Sequence, residues 1–292
     1  MNISVCSIEK SQVHKLLSAA SGDAALLFLY IQSGNDPAEG EKALHMSAAR
    51  YQCACATLRQ LGLWPEERKR ILPVGERPQY TEKDVLQAMD GDTEFRSLYG
   101  EVQRLLGRSL NTEELKIILG FVRYLGLPAE VISVLVSYCR DRARQKGSLR
   151  NPSLRTIEKE AYAWAEQGID SMEEAAAFIH AQNVRRSQLR ELMDILQIRG
   201  RELTPGEERY ARSWIEMGFD REAVSMAYER TCLNTGGMNW AYMNKILTRW
   251  NEAGLHTAQQ VQKHDKKPLP KGASGQLGQA ELEAIQKVLQ EG

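Results

Sequence analysis

The chain has 292 residues, 42% hydrophobic and 26% charged, a composition of a water-soluble globular protein with room for two or three cores. Its 38 basic and 38 acidic side chains cancel, so no global field draws it to nucleic acid or membrane, and any such surface must come from local sorting of charge. No apolar run approaches the roughly 20 residues a bilayer span needs, so no membrane insertion is expected. Residues 1–10 show no basic segment leading into an apolar one, so no secretory leader is expected and the cytoplasm is the expected location.

Five cysteines (Cys6, Cys53, Cys55, Cys139, Cys232) are scattered, and Cys53-Ala-Cys55 lacks the two-residue gap and second pair of a zinc site. They read as reduced, small apolar residues. The histidines (His14, His45, His180, His256, His264) fall at no ligand spacing, and there is no phosphate-cradling Gly-Lys-Ser/Thr loop. No catalytic residue, metal or cofactor is expected, and the chain reads as a non-enzyme.

In chain order, nearly every segment shows the three- and four-residue apolar spacing of helices. A helix is expected over 11–20, and a second, capped by Asp23, ends before Ser33-Gly34-Asn35. Asp36-Pro37 starts a short third helix over 37–44. Ser47 caps a fourth over 48–61, closed by Gly62. After Leu63-Trp64-Pro65 come a charged stretch and a turn-rich, β-prone stretch up to Tyr80. Short helix, tight turn, longer helix and hairpin are the order of a winged helix-turn-helix, expected over 1–91. Arg50, Gln52 and Arg59 on the longer helix could face DNA, and Arg68, Lys69, Arg70 and Arg77 would form a basic wing. Tyr51, Cys55 and Leu58 also make an ordinary core face, and basic and acidic residues nearly balance over 1–90. Self-association through this domain therefore stands beside DNA contact. Thr81 then caps a bridging helix over 82–89.

The rest of the chain repeats itself. One copy, over 95–181, reads Val102-Gln-Arg-Leu-Leu-Gly107-Arg108-Ser-Leu110-Asn-Thr-Glu-Glu114, then a helix with Phe121, then Gly126-Leu127. The other, over 188–262, reads Ile195-Leu-Gln-Ile-Arg-Gly200-Arg201-Glu-Leu203-Thr-Pro-Gly-Glu207, then a helix with Trp214, then Gly218-Phe219. In each copy the turn leads to a Thr- or Asn-headed cap; Thr112 and Thr204 each stand in a capping-box pattern, with Pro205 at a favoured first helical position. Further amphipathic helices are expected over 128–144 and 221–234, and each copy closes on Trp-x3-Gly at Trp164…Gly168 and Trp250…Gly254. Between the turn and closing glycines the first copy is longer by seven residues, through a polar insert near 145–152. Two copies are too few for a solenoid and read as two compact helical domains. From Lys263 the chain becomes basic and rich in Pro and Gly, a flexible linker over 263–275 followed by a short amphipathic helix over 279–290.

Charge is sorted locally. Arg140, Arg142, Arg144, Lys146, Arg150 and Arg155 cluster in the first copy; Arg185, Arg186, Arg190, Arg199 and Arg201 lie between the copies. Lys245 and Arg249 flank a Tyr242-x3-Ile246-x3-Trp250 stripe, and Lys263, Lys266, Lys267 and Lys271 follow it. Lys245 and Arg249, four apart, share a helix face.

The Tyr-x3-Ile-x3-Trp stripe, with Trp214-x3-Gly218-Phe219 before it and Gly254-Leu255 after it, resembles the DnaD family of replication-initiation proteins, and the tandem copies resemble its DnaB-type helicase co-loaders, of cell or phage origin. The resemblance implies a mainly α fold: an N-terminal winged helix that self-associates, two tandem DnaD-like helical domains, and a flexible tail over 263–292. It implies DNA contact, single-stranded, duplex or forked, through Tyr242, Lys245, Ile246, Arg249 and Trp250 and the tail residues Lys263, Lys266 and Lys267, with Arg50, Lys69 and Arg70 as N-terminal candidates. It further implies recruitment of the replicative helicase or its loader. In the first copy Thr156 and Glu160 stand where Tyr242 and Ile246 stand in the second. The second copy is therefore expected to serve DNA and the first a protein partner. A winged-helix transcription regulator and a protein–protein adaptor without DNA binding are the alternatives.

Overall fold

The computed structural model describes residues 8–64 and 78–265. Among them lie fourteen α-helices, one 3-10 turn and no strand. No helix among them is long and apolar enough to cross a membrane. The chain divides into two compact units, Met1–Arg190 and Glu191–Gly292.

The first unit opens with α1 (Lys10–Ala19), α2 (Gly22–Gln32), a 3-10 turn (Pro37–Glu39), α3 (Gly40–Ala43) and α4 (Ala48–Gln60). Ser21, not Asp23, caps α2, accepting from the Ala24 N–H at 3.3 Å. Asp23 is left in the first turn, where a carboxylate still suits the helix dipole. The expected third helix splits because Pro37 starts a tight turn that only then relaxes into α3. Ser47 caps α4 as anticipated, and Gly62 closes it at φ +66°. Gly40 is required by packing: a Cβ there would sit 2.7 Å from Leu27 Cδ1 and 3.3 Å from the Tyr51 ring. The small core joins Ala24, Leu27 and Phe28 of α2 to Ala54, Cys55 and Leu58 of α4. Short helix, turn and longer helix are thus present. The hairpin that would form the wing, with Arg68, Lys69, Arg70 and Arg77, lies outside the described residues, as does Cys6.

The first repeat is built from α5 (Glu82–Gly91), α6 (Thr93–Leu106), α7 (Thr112–Arg123), α8 (Ala129–Gln145), α9 (Leu154–Glu166) and the first part of α10 (Met172–Ile195). α5, grouped with the N-terminal segment in the expected partition, contributes Val85 and Ala88 to the same core as Phe95, Val102, Phe121, Ile132, Leu135 and Trp164. The N-terminal helices pack on this repeat within the unit: Arg59 of α4 pairs with buried Glu174 of α10, and His180 meets the Ala19 carbonyl at 3.0 Å. α10 is continuous through 182–187, because that stretch holds neither Gly nor Pro to stop it.

The second unit holds the end of α10, α11 (Pro205–Met217), α12 (Arg221–Thr235), α13 (Trp240–Glu252) and α14 (Ala258–His264) around Leu192, Leu196, Trp214, Ala227, Met243, Leu247, Trp250 and Val261. The copies correspond helix by helix and in their turn chemistry. Arg108 donates through Nη1 and Nη2 to Glu114 at 2.8 and 2.5 Å, and Arg201 does the same to Glu207 at 2.7 Å twice. Each of these glutamates is also the third residue of a capping box. In the first copy the cap is Asn111 rather than Thr112. After each closing Trp the chain turns identically, Ile169 N–H to Trp164 O at 2.9 Å and Leu255 N–H to Trp250 O at 2.8 Å.

Candidate nucleic-acid interface

Asn239 caps α13 by accepting from the Tyr242 N–H at 2.9 Å, which fixes the register of the helix. Met243, Leu247 and Trp250, at four and three spacing, form its buried face. The Tyr-x3-Ile-x3-Trp residues are therefore not one core stripe. Each step of four advances about 40° around a helix of 3.6 residues per turn. Tyr242 is 37% exposed, Ile246 half-buried and Trp250 fully buried. Tyr242, Lys245 and Arg249 share the outward face, with Ile246 at its edge. Lys245 has no ion-pair partner among the described residues.

Trp250, one of the expected DNA contacts, is fully buried, so its ring presents no face on which a base could stack. Its indole Nε1–H donates to Asp265 Oδ2 at 2.7 Å, and the Arg230 guanidinium lies 5.1 Å from its ring. Asp265 also pairs with Arg230 and accepts from Arg249 Nη2 at 2.9 and 3.1 Å. Three donors from α12 and α13 thus meet at one carboxylate just beyond α14. Asp265 carries no signal in sequence, where it stands as the single acid among the basic residues of 263–275. Lys263, in the last turn of α14, is exposed. Lys266, Lys267 and Lys271, with the expected tail helix, lie outside the described residues.

At the start of α13, Trp240 stacks on Trp214 with centroids 5.3 Å apart and planes at 16°, and Tyr210 stacks on Trp240 at 6.1 Å. Trp214 Nε1–H donates to Asn244 at 2.9 Å, so the stack is tied to α13 by a satisfied polar group.

The N-terminal candidates are committed to the fold to different degrees. Arg50 is exposed but grips Asp23 through Nε at 2.9 Å and Nη2 at 2.5 Å, which holds the Asp23 carboxyl below its usual range. Arg59 points inward to Glu174 and lies 5.3 Å from the Trp64 ring. In the first repeat Arg142 donates to Glu160 at 2.9 Å, Arg140 to the Leu105 carbonyl at 3.2 Å, and Arg186 to Gln145. Several members of the basic cluster are therefore occupied by the structure, including one held by the acid that replaces Ile246. Beside them, a groove of about 410 Å³ is lined by Arg104, Ser137, Tyr138, Arg142, Ile179 and Arg186.

Among the described residues no three metal-ligating side chains gather. Burial pushes the Cys139 thiol up to about 12 and the Cys55 thiol up from its ordinary value, which disfavours the reactive thiolate.

The segments 99–179 and 192–265 each match the family described as replication initiation and membrane attachment, together more than half of the chain. The first match runs from α6 into α10, and the second from α10 to Asp265, so each takes in one structural repeat. No curated protein and no solved structure gives a match. Carried by two matched repeats with the same Arg–Glu capping box, turn after the closing tryptophan and buried indole, the chain belongs to the DnaD-like, DnaB-type family of replication initiation and membrane attachment proteins.

Proposed function

We propose that this chain acts without catalysis at the start of replication, binding DNA with its second repeat and protein partners with the rest. The observation that carries the reading is the sorting of α13: Met243, Leu247 and Trp250 anchor the helix while Tyr242, Lys245 and Arg249 stand on its outer face. Lysine and arginine at this spacing suit phosphate oxygens, and the exposed tyrosine one turn before them offers a ring for an unstacked base. Lys263 extends the surface, and Lys266 and Lys267 follow it in sequence. Ile246 sets the edge of the face, and Trp250 acts as a positioning residue.

The N-terminal helices serve self-association in this reading. Arg50 and Arg59 already hold carboxylates, which weakens the case for a DNA-reading helix there. The first repeat, with Thr156 and Glu160 in place of the aromatic motif, offers its groove to the replicative helicase or its loader. Binding indifferent to sequence separates this role from a transcription regulator, and any DNA binding at low salt separates it from a pure adaptor.

The test is the double variant Lys245→Ala, Arg249→Ala, followed by salt-dependent binding to single-stranded, duplex and forked oligonucleotides. Loss of two phosphate contacts lowers the slope of log affinity against log salt by about 2 on duplex DNA. A variant with native circular dichroism, wild-type affinity and wild-type slope would overturn the assignment of α13.

A further inference from the structure

Arg230, Arg249 and the Trp250 indole converge on Asp265 although the fold does not require them to. The repeats supply the control. Pro128 and Asp220 cap equivalent helices, as do Ser153 and Asn239, so Arg230 corresponds to Tyr138, Arg249 to Ala163, Trp250 to Trp164 and Asp265 to Ile179. In the first repeat the same buried Trp packs against the Tyr138 ring at 5.7 Å and the Phe178 ring at 5.4 Å. An apolar environment therefore suffices to seat this tryptophan. In the second repeat both guanidiniums and the carboxylate are present together, around a position where a ring would serve.

Two guanidiniums and an indole N–H aimed at one pair of oxygens make an anion site, and the same donors fit the two free oxygens of a phosphodiester. Its location favours DNA as the source of that phosphate. Arg249 belongs to the same outer face of α13 as Tyr242 and Lys245, and its side chain is 51% exposed even while paired. Asp265 sits past the end of α14, and its own N–H makes a bond to the Val261 carbonyl at 2.8 Å. The residues seating α14 lie earlier: the Thr257 cap, buried Val261, and the Ala258 N–H on Asp220. Asp265 can turn away without unseating the helix.

We infer that Asp265 is an internal stand-in for a DNA phosphate: it fills the Arg230–Arg249–Trp250 site in the free protein and gives way to the backbone when DNA reaches α13. This rests on α13 being the DNA face. The intramolecular carboxylate lowers affinity for stray anions, and only a ligand that also engages Tyr242 and Lys245 displaces it efficiently.

The full chain carrying Asp265→Asn tests this, since asparagine keeps the shape and an acceptor for the indole while removing the charge. Freeing two guanidiniums raises affinity for a labelled oligonucleotide on the order of tenfold near 0.1 M salt and steepens the salt slope by up to about 2. Arg230→Gln in the same background removes about half of the gain in slope, because only Arg249 is then freed. A folded Asp265→Asn protein with wild-type affinity and slope overturns the inference; if Lys245→Ala still weakens binding, the DNA face itself stands. If neither wild type nor the variant binds DNA at low salt, both fall. A gain confined to vesicles of anionic phospholipid, or to inorganic phosphate, also overturns the assignment to DNA. One readout needs no variant at the latch: the Trp250 indole N–H resonance, assigned with Trp250→Phe, moves as wild type is saturated with DNA, and an unmoved resonance contradicts the exchange.

Discussion

Trp164 and Trp250 occupy the same place in two copies of one module, and their surroundings have little in common. Trp164 is ringed by Tyr138 and Phe178, and its indole N–H, fully buried, has no hydrogen-bond partner among the described residues. Trp250 faces Phe219 at 6.5 Å, has a guanidinium over its ring, and donates to Asp265. One pocket relies on aromatic packing and tolerates an unsatisfied N–H; the other satisfies its indole N–H but holds charge at its rim. What the copies share is therefore what the fold needs: the turn glycine, the Arg–Glu clamp, and the indole volume. What differs is available for function.

The largest effect tests what is shared. Trp164→Ala and Trp250→Ala should each cost about 3–5 kcal/mol in denaturant unfolding, because each removes a fully buried indole from a core. Phenylalanine separates the two sites. Trp164→Phe loses only volume, whereas Trp250→Phe also deprives a mostly buried carboxylate of a donor, a further loss of about 1.5 kcal/mol or more. Equal costs for the two Phe variants would mean the Asp265 bond contributes nothing to stability.

A smaller effect comes from transplanting the first pocket into the second. Asp265→Ile alone leaves two arginines facing an apolar group and should destabilise by about 2–3 kcal/mol, below the usual cost of breaking a buried pair because Arg249 is half exposed. Adding Arg230→Tyr restores the arrangement of Tyr138 and Ile179 and should recover most of the loss. Failure to recover would show that the charged trio is structural, and the division between shared and available positions would have to be redrawn.

The helical architecture was readable because its determinants are local. Ser47 and Thr204 cap where side-chain oxygens precede apolar periodicity, and glycines end helices where φ turns positive. Where two good capping residues stand within one turn, as with Asn111 and Thr112 or Ser21 and Asp23, the sequence alone does not choose between them. The site was harder to read. Tyr242, Ile246 and Trp250 look collinear in sequence, yet two steps of about 40° carry the helix from solvent to core. Asp265 lies 35 residues from Arg230 and 16 from Arg249, and no periodic pattern joins residues from two helices and a chain end. Such a constellation becomes visible only when tertiary packing brings its members together.

The smallest effect concerns a charged device that both copies keep. Arg201 and the Thr204 N–H hold the Glu207 carboxyl down to about 2, and Arg108 lowers Glu114 in the same way. A depressed carboxylate contributes stability above its unfolded value, here about 4.5, and loses it as pH falls toward the folded value. For Glu207 the loss runs from about pH 4.5 to about pH 2. Glu207→Gln keeps a capping side chain but not the charge, so at neutral pH it should cost no more than about 1 kcal/mol, since the pair is partly exposed and screened. Titrating wild type and variant in parallel cancels every other carboxylate. The difference between their unfolding free energies should shrink across this window and vanish near its acid end. Glu114→Gln should behave alike, starting from the same upper limit. A gap that persists at pH 2 would mean the glutamate acts through shape rather than charge, and the resemblance between the two clamps would then be one of capping geometry alone.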